Sequence, residues 1–107
     1  GDDLAAILQH LHEHLDDPNL SVKTLCLHSG LSRRSLEMLF SEARLKPPGQ
    51  VIHQVRLRRA CALLADGDQT VQQVATACGF ASPGSFGRYF RQVKGASPEA
   101  WRQTKHP

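Results

Sequence analysis

Two stretches of this chain, residues 21–40 and 70–90, repeat one pattern of capping residues, apolar positions and glycine. Ser21-Val22 answers Thr70-Val71, Leu25 answers Val74, Cys26 answers Ala75, Gly30 answers Gly79 and Leu31 answers Phe80. After one extra residue in the second copy, Ser32 pairs with Ser82, Leu36 with Phe86, Leu39 with Tyr89 and Phe40 with Phe90. Each copy reads as a short helix, a tight turn with glycine, and a longer capped helix, which is the helix-turn-helix plan. The turn between two crossing helices calls for a positive φ and close backbone approach, and glycine supplies both. One such unit is a weak signal, since many helical hairpins resemble it. Two copies, each with basic residues on its second helix, are much stronger.

The punctuation around the repeat predicts an all-α chain of seven helices. Leu4, Ile7, Leu8, Leu11 and Leu15 recur at helical spacing, with Asp2 or Asp3 placed to cap the first helix and Asp17-Pro18-Asn19 to end it. Ser21, Ser32, Thr70 and Ser82 cap the helices of the two repeats, and Gly30 and Gly79 close the first helix of each. Pro47-Pro48 opens a long fourth helix that reaches about Ala65, before Asp66-Gly67-Asp68. Ser97-Pro98 starts a short seventh helix anchored by Trp101, because proline's missing N–H is harmless in a first turn. No useful length of chain alternates with the period of two that a strand needs.

The fourth helix identifies itself as a connector. At 100° per residue, Val51, Ile52 and Val55 fall on one side, while Leu57, Ala60, Cys61 and Leu64 fall nearly opposite, with Leu63 between. An apolar stripe that changes faces halfway must pack against two bodies. The expected division is therefore one helix-turn-helix subdomain over about 4–47, a linker helix over about 48–65, and a second subdomain over about 66–107. About 18 residues at about 1.5 Å each make a rod of roughly 27 Å. That length is comparable with the roughly 34 Å between successive major-groove segments on one DNA face.

Charge is distributed unevenly along the 107 residues, although the net value is only +3. Residues 1–20 carry a local −5, residues 33–59 a local +5 and residues 80–107 a local +4. Two basic blocks and one acidic end suit a nucleic-acid face with a solvated back, and charge alone fits a merely charged surface equally well. No run of about 18 apolar residues exists to span a membrane, and the acidic start is unlike a secretory leader. The chain begins without Met, so either a trimmed chain or a fragment of something longer is expected, and the cysteine pattern leads to the expectation of a cytoplasmic protein. Cys26, Cys61 and Cys78 are odd in number and widely spaced among apolar neighbours, so they read as reduced, buried core thiols. His10 and His14 share a face at i,i+4, which supplies two metal ligands at most; surface histidines are the expected reading. No cofactor and no metal is expected.

The segments LSVKTLCLHSGLSRRSLEMLF and VRLRRACALLADGDQTVQQVATACGFASPGSFGRYFRQVKGASPEAWR, together with HLDDPNLS, closely resemble the DNA-binding domain of the AraC/XylS family of bacterial transcription regulators. The second is the more specific, with GF, SF, R-F, KG-SP and an aromatic followed by Arg in family order. The resemblance implies two helix-turn-helix subdomains on a linker helix, double-stranded operator DNA and RNA polymerase subunits as partners, and activation or repression of transcription. Members usually add an effector-binding or dimerisation domain, which this chain lacks, so a full-length homodimer would form through that missing part.

Family-like docking would put the third helix in one major groove and the sixth in the next. Arg33, Arg34, Glu37 and Met38 are the exposed positions expected to face bases on the third helix. Arg can hold guanine O6 and N7 bidentately, Glu can accept from cytosine N4, and Met can touch a thymine methyl. Arg34 is the expected main reader, with Arg33 divided between base and phosphate. Met38 departs from the family, where a basic residue is common. The sixth helix departs further: Pro83 cannot donate and Gly84 has no side chain, which leaves Ser85 and Arg88 as readers. Phosphate contacts are expected from Ser32, Lys46, Arg59, Ser82, Gly84 and Arg91, partly through helix N-terminal amides. The first unit should then discriminate bases while the second anchors the backbone. Arg56 reads equally as a structural residue bonding between subdomains and as a phosphate contact.

Two rival functions are separable. A helical module that binds an acidic protein explains the charge but not the doubled turn motif with Arg on both second helices. An enzyme lacks support: no nucleophile–base pair, phosphate-cradling loop or carboxylate pair stands at a useful spacing.

Overall fold

The computed structural model describes residues 2–105, which form seven helices and no strand. They are α1 (Asp2–Glu13), α2 (Val22–Ser29), α3 (Arg33–Glu42), α4 (Pro48–Asp66), α5 (Val71–Ala77), α6 (Pro83–Lys94) and α7 (Pro98–Lys105). The chain separates into two compact units, residues 1–55 and 56–107, with the boundary inside α4.

In the first unit α2 packs on both α1 and α3. Its core joins Ile7, Leu11, Leu15, Leu20, Leu25, Leu36 and Phe40 with Val51 and Ile52 from the start of α4. In the second unit α6 packs on α5 and α7. Its core joins Leu57, Ala60 and Leu64 from the rest of α4 with Val74, Ala75, Cys78, Phe86 and Phe90. The change of apolar face along α4 thus divides the helix between two cores. Burial of such side chains contributes roughly 1.5–3 kcal/mol each, enough to hold short helices that would not persist alone.

Local chemistry sets most helix ends. Ser21 and Thr70 each form a reciprocal capping box: the hydroxyl accepts from the N3 amide, and the N3 side chain accepts from the cap amide. Ser32 and Ser82 accept from the amides of Ser35 and Ser85. Gly30 closes α2 at φ 76, its amide donating to the Cys26 carbonyl at 2.9 Å. In the second unit α5 stops one residue sooner relative to its glycine: Cys78 is the cap, and Gly79 follows at φ 81.

The structure corrects four expectations. The first helix starts at Asp2, so Asp3 stands inside the first turn rather than at the cap, and the cap position falls outside the described residues. That helix ends at Glu13, and Leu15 is buried from the turn that follows. Only Cys78 of the three cysteines is buried; Cys26 and Cys61 are partly exposed at core edges, and none is bridged. Arg102, one of the cations counted in the +4 of residues 80–107, is turned to the protein instead: its Nη2 donates to the Gln69 carbonyl, tying α7 to the segment before α5.

Trp101 anchors α7, its ring edge-on to Phe90 at 5.7 Å between centroids. Lys105 Nζ lies 5.2 Å above the indole. His10 stacks on His28 at 3.7 Å and lies against His14 at 4.1 Å, so α1 and α2 meet through imidazoles. Among the described residues no three His, Cys, Asp or Glu groups are placed to hold a metal.

Candidate nucleic-acid interface

The first unit presents the opening turns of α3. Leu36 and Phe40 turn inward and are fully buried, while Arg33, Arg34, Glu37 and Met38 are exposed. Ser32 holds the preceding chain in place: its Oγ accepts from Ser35 N at 3.1 Å and donates to Ser35 Oγ at 3.0 Å. Two arginines in a first turn oppose the partial positive charge of the helix N-terminus, and folding gains nothing from them there. Departures from local preference of this kind mark sites kept for function.

The two arginines differ. Arg33 Nε donates to Glu37 Oε1 at 3.1 Å, with both side chains open to solvent. Arg34 has no hydrogen-bond or ion-pair partner among the described residues. Met38 is half exposed beside them.

Beyond α3 the backbone folds back through a six-to-one bond, Leu45 N donating to Phe40 O at 2.9 Å. Arg44 takes φ 62 in that turn, a left-handed conformation unusual for a side chain that bears a Cβ. It stands exposed two residues before Lys46, also exposed, and the candidate contacts read from the sequence omitted it. Its signal was membership of the basic block. An open hollow of about 250 Å³ lies between Glu37, Ser41, Leu45 and Pro47.

In the second unit the corresponding surface is smoother. Ser82, Pro83 and Gly84 are exposed at the start of α6, while Phe86 and Phe90 are buried beneath. Ser85 is half-buried, and its hydroxyl donates to the Ser82 carbonyl at 3.0 Å and accepts from Ser82 Oγ at 3.2 Å. Its proton is therefore used locally. Arg88 curls back over the first turn: a Cβ at Gly84 would sit 3.6 Å from its Nη1. Gly84, Gly87, Arg88 and Arg91 share one face and, with Ser97 and Pro98, line an open groove of about 240 Å³. The groove offers two guanidinium groups and bare backbone, which suits a phosphate better than a base edge.

The three arginines of α4 divide sharply. Arg58 and Arg59 are exposed, whereas Arg56 is only 6% exposed and makes its contacts inside the protein. Its burial sets it apart from the exposed cations of the helix. A buried arginine cannot reach a phosphate without unpacking.

Burial pushes the Cys78 thiol up to about 11, against the opposing pull of Arg59 and Arg56. Burial also raises Cys61, against Lys94 and Lys105. Neither is an activated nucleophile.

Two all-helical units, each a capped helix-turn-helix with cations on its second helix, define the class of nucleic-acid-binding helix-turn-helix proteins. The family model described as a helix-turn-helix domain matches residues 25–104. The chain belongs to this family and is an AraC/XylS-type DNA-binding domain.

Over 97 residues it is 32% identical to the F1 operon positive regulatory protein of Yersinia pestis, a match covering 91% of this chain and 32% of that protein. Over 95 residues it is 35% identical to the HTH-type transcriptional regulator CdhR of Pseudomonas aeruginosa, covering 89% and 28%. Among solved structures it is similar to the DNA-binding domain of the global transcriptional factor AdpA in complex with a target DNA. That match has a TM-score of 0.87 at 34% identity and covers 97% of this chain and 93% of that one. It is similar also to an AraC-type regulator from Chromobacterium violaceum, with a TM-score of 0.80, 28% identity and coverage of 97% and 92%. The chain spans about a third of the length of the curated relatives it matches. The family is one of transcriptional regulators rather than enzymes. Among the described residues no helix is long and apolar enough to cross a membrane.

Proposed function

We propose that this domain binds a specific double-stranded operator and regulates transcription, with α3 and α6 entering successive major grooves. The observation that carries the reading is the outward face of α3, where Arg33, Arg34, Glu37 and Met38 stand exposed on a helix whose other face is locked in the core. Arg34 is the main base reader, because its guanidinium has no competing partner among the described residues.

The second unit contributes chiefly backbone contacts. Arg88, Arg91, Ser82 and the amides around Gly84 meet phosphates, and Ser85 adds little base information while its hydroxyl serves the cap. Ser32, Lys46 and Arg59 anchor the first half of the site, and Arg44 joins them. Subdomain one spans about 4–47, the linker helix about 48–65 and subdomain two about 66–107. The whole protein acts in the cytoplasm, engages RNA polymerase subunits and dimerises through a further domain.

Selection of bound sites from a random duplex library tests this. The expected product is an enriched sequence whose information is concentrated in the half read by α3, with a weakly specified half one helical turn away, about 10 base pairs. Recovery of unenriched DNA would contradict it.

A further inference from the structure

The Arg33–Glu37 pair is poorly explained by folding. Both side chains lie in solvent, 74% and 52% exposed, where an ion pair contributes little. Its order, cation N-terminal to anion at i,i+4, is the weaker of the two arrangements on a helix. A carboxylate on a surface that meets phosphates is also a liability, because it repels every one of them.

Glu37 nonetheless acts on one atom. By accepting from Arg33 Nε it occupies that nitrogen and leaves the Nη1 and Nη2 edge without a partner among the described residues. Two parallel N–H groups on that edge match guanine N7 and O6. The same carboxylate disfavours any pose in which Arg33 reaches toward a phosphate. The sequence left Arg33 divided between base and backbone, and gave Glu37 a cytosine of its own.

We propose that Glu37 is a positioning residue, holding Arg33 for a guanine and keeping it off the phosphates, so that the two side chains specify one base pair together. This rests on the DNA-binding reading above.

The test measures dissociation constants of the unmodified domain, Glu37→Ala, Glu37→Gln, Arg33→Ala and Arg33→Ala/Glu37→Ala. Each is titrated with the selected duplex, its single-base-pair variants and random duplex over a salt series. Expected is that Arg33→Ala and Glu37→Ala relax preference at the same G·C pair, by about tenfold or more for Arg33→Ala. The double variant should discriminate no worse than Arg33→Ala alone. Glu37→Gln, which keeps an acceptor without charge, should retain part of the preference while binding random duplex more tightly. Loss of preference at two different pairs, with additive effects, would show that Glu37 reads its own base and overturn the proposal. Unchanged preference and unchanged random-duplex affinity in Glu37→Ala would overturn it equally. Absence of salt-dependent binding to any duplex by the unmodified domain would remove the underlying reading instead, an outcome distinct from both.

Discussion

Gly30 and Gly79 hold the same left-handed backbone, φ 76 and φ 81, at the matching turn of the two units. At Gly30 nothing lies within 4 Å of where a Cβ would stand, so the turn needs glycine for its backbone and not for room. Gly30→Ala is expected to cost about 1–2 kcal/mol, and Gly30→Asn less, since Asn tolerates this conformation better. Urea unfolding of both variants measures the difference. Equal losses would show that something other than backbone strain governs the turn.

Phe86 is fully buried and stands between Phe80 at 4.8 Å and Phe90 at 5.7 Å. Phe86→Ala should remove about 3–5 kcal/mol. That is a large share of the stability of a domain this small. Thermal unfolding followed by circular dichroism reads it directly. A loss of less than about 1 kcal/mol would mean that the second core collapses around the gap.

His10 holds its proton less firmly than an ordinary imidazole, whose value is 6.5. Desolvation comes first among the causes, then the neighbouring His28 and His14, with Glu13 opposing. A histidine lowered in the folded state leaves the unfolded chain the better proton acceptor. Stability from His10 is therefore fully present above the unfolded value and declines as pH falls below it. Between about pH 7.5 and about pH 5.5 the unmodified domain should lose more urea resistance than His10→Gln. An identical pH dependence in both proteins would refute the assignment.

Cys78, buried with its thiol near 11, should react with iodoacetamide at least about tenfold more slowly than the partly exposed Cys26 in the folded state. Mass spectrometry of timed digests gives each rate. Fast labelling of Cys78 would contradict its burial and reveal frequent opening of the second unit.

Much of this architecture was readable because its causes are local. Ser21, Ser32, Thr70 and Ser82 cap helices through hydroxyls that bond within three residues, and such signals do not depend on the rest of the fold. The division of α4 followed from the placement of Val51, Ile52 and Val55 against Leu57, Ala60 and Leu64 around one helix. Non-local or rotameric causes stayed hidden. Leu15 has the apolar character of a helical position yet is buried from a turn, because a core rewards burial and not periodicity. Arg44 takes φ 62 where no glycine marks the turn. Arg102 carries the same charge as Arg91, and only packing sends one inward to Gln69 and leaves the other exposed. The pairing of Arg33 with Glu37 is a rotamer choice that spacing permits but does not dictate.

The most direct test of the central claim is titration of a labelled selected duplex and of random duplex with the unmodified domain and with Arg34→Ala, across a range of salt. Log affinity is expected to fall linearly with log salt for every combination. Arg34→Ala is expected to lose about 1–3 kcal/mol on the selected duplex and much less on random DNA. Equal losses on both duplexes, or binding indifferent to salt, would contradict that claim.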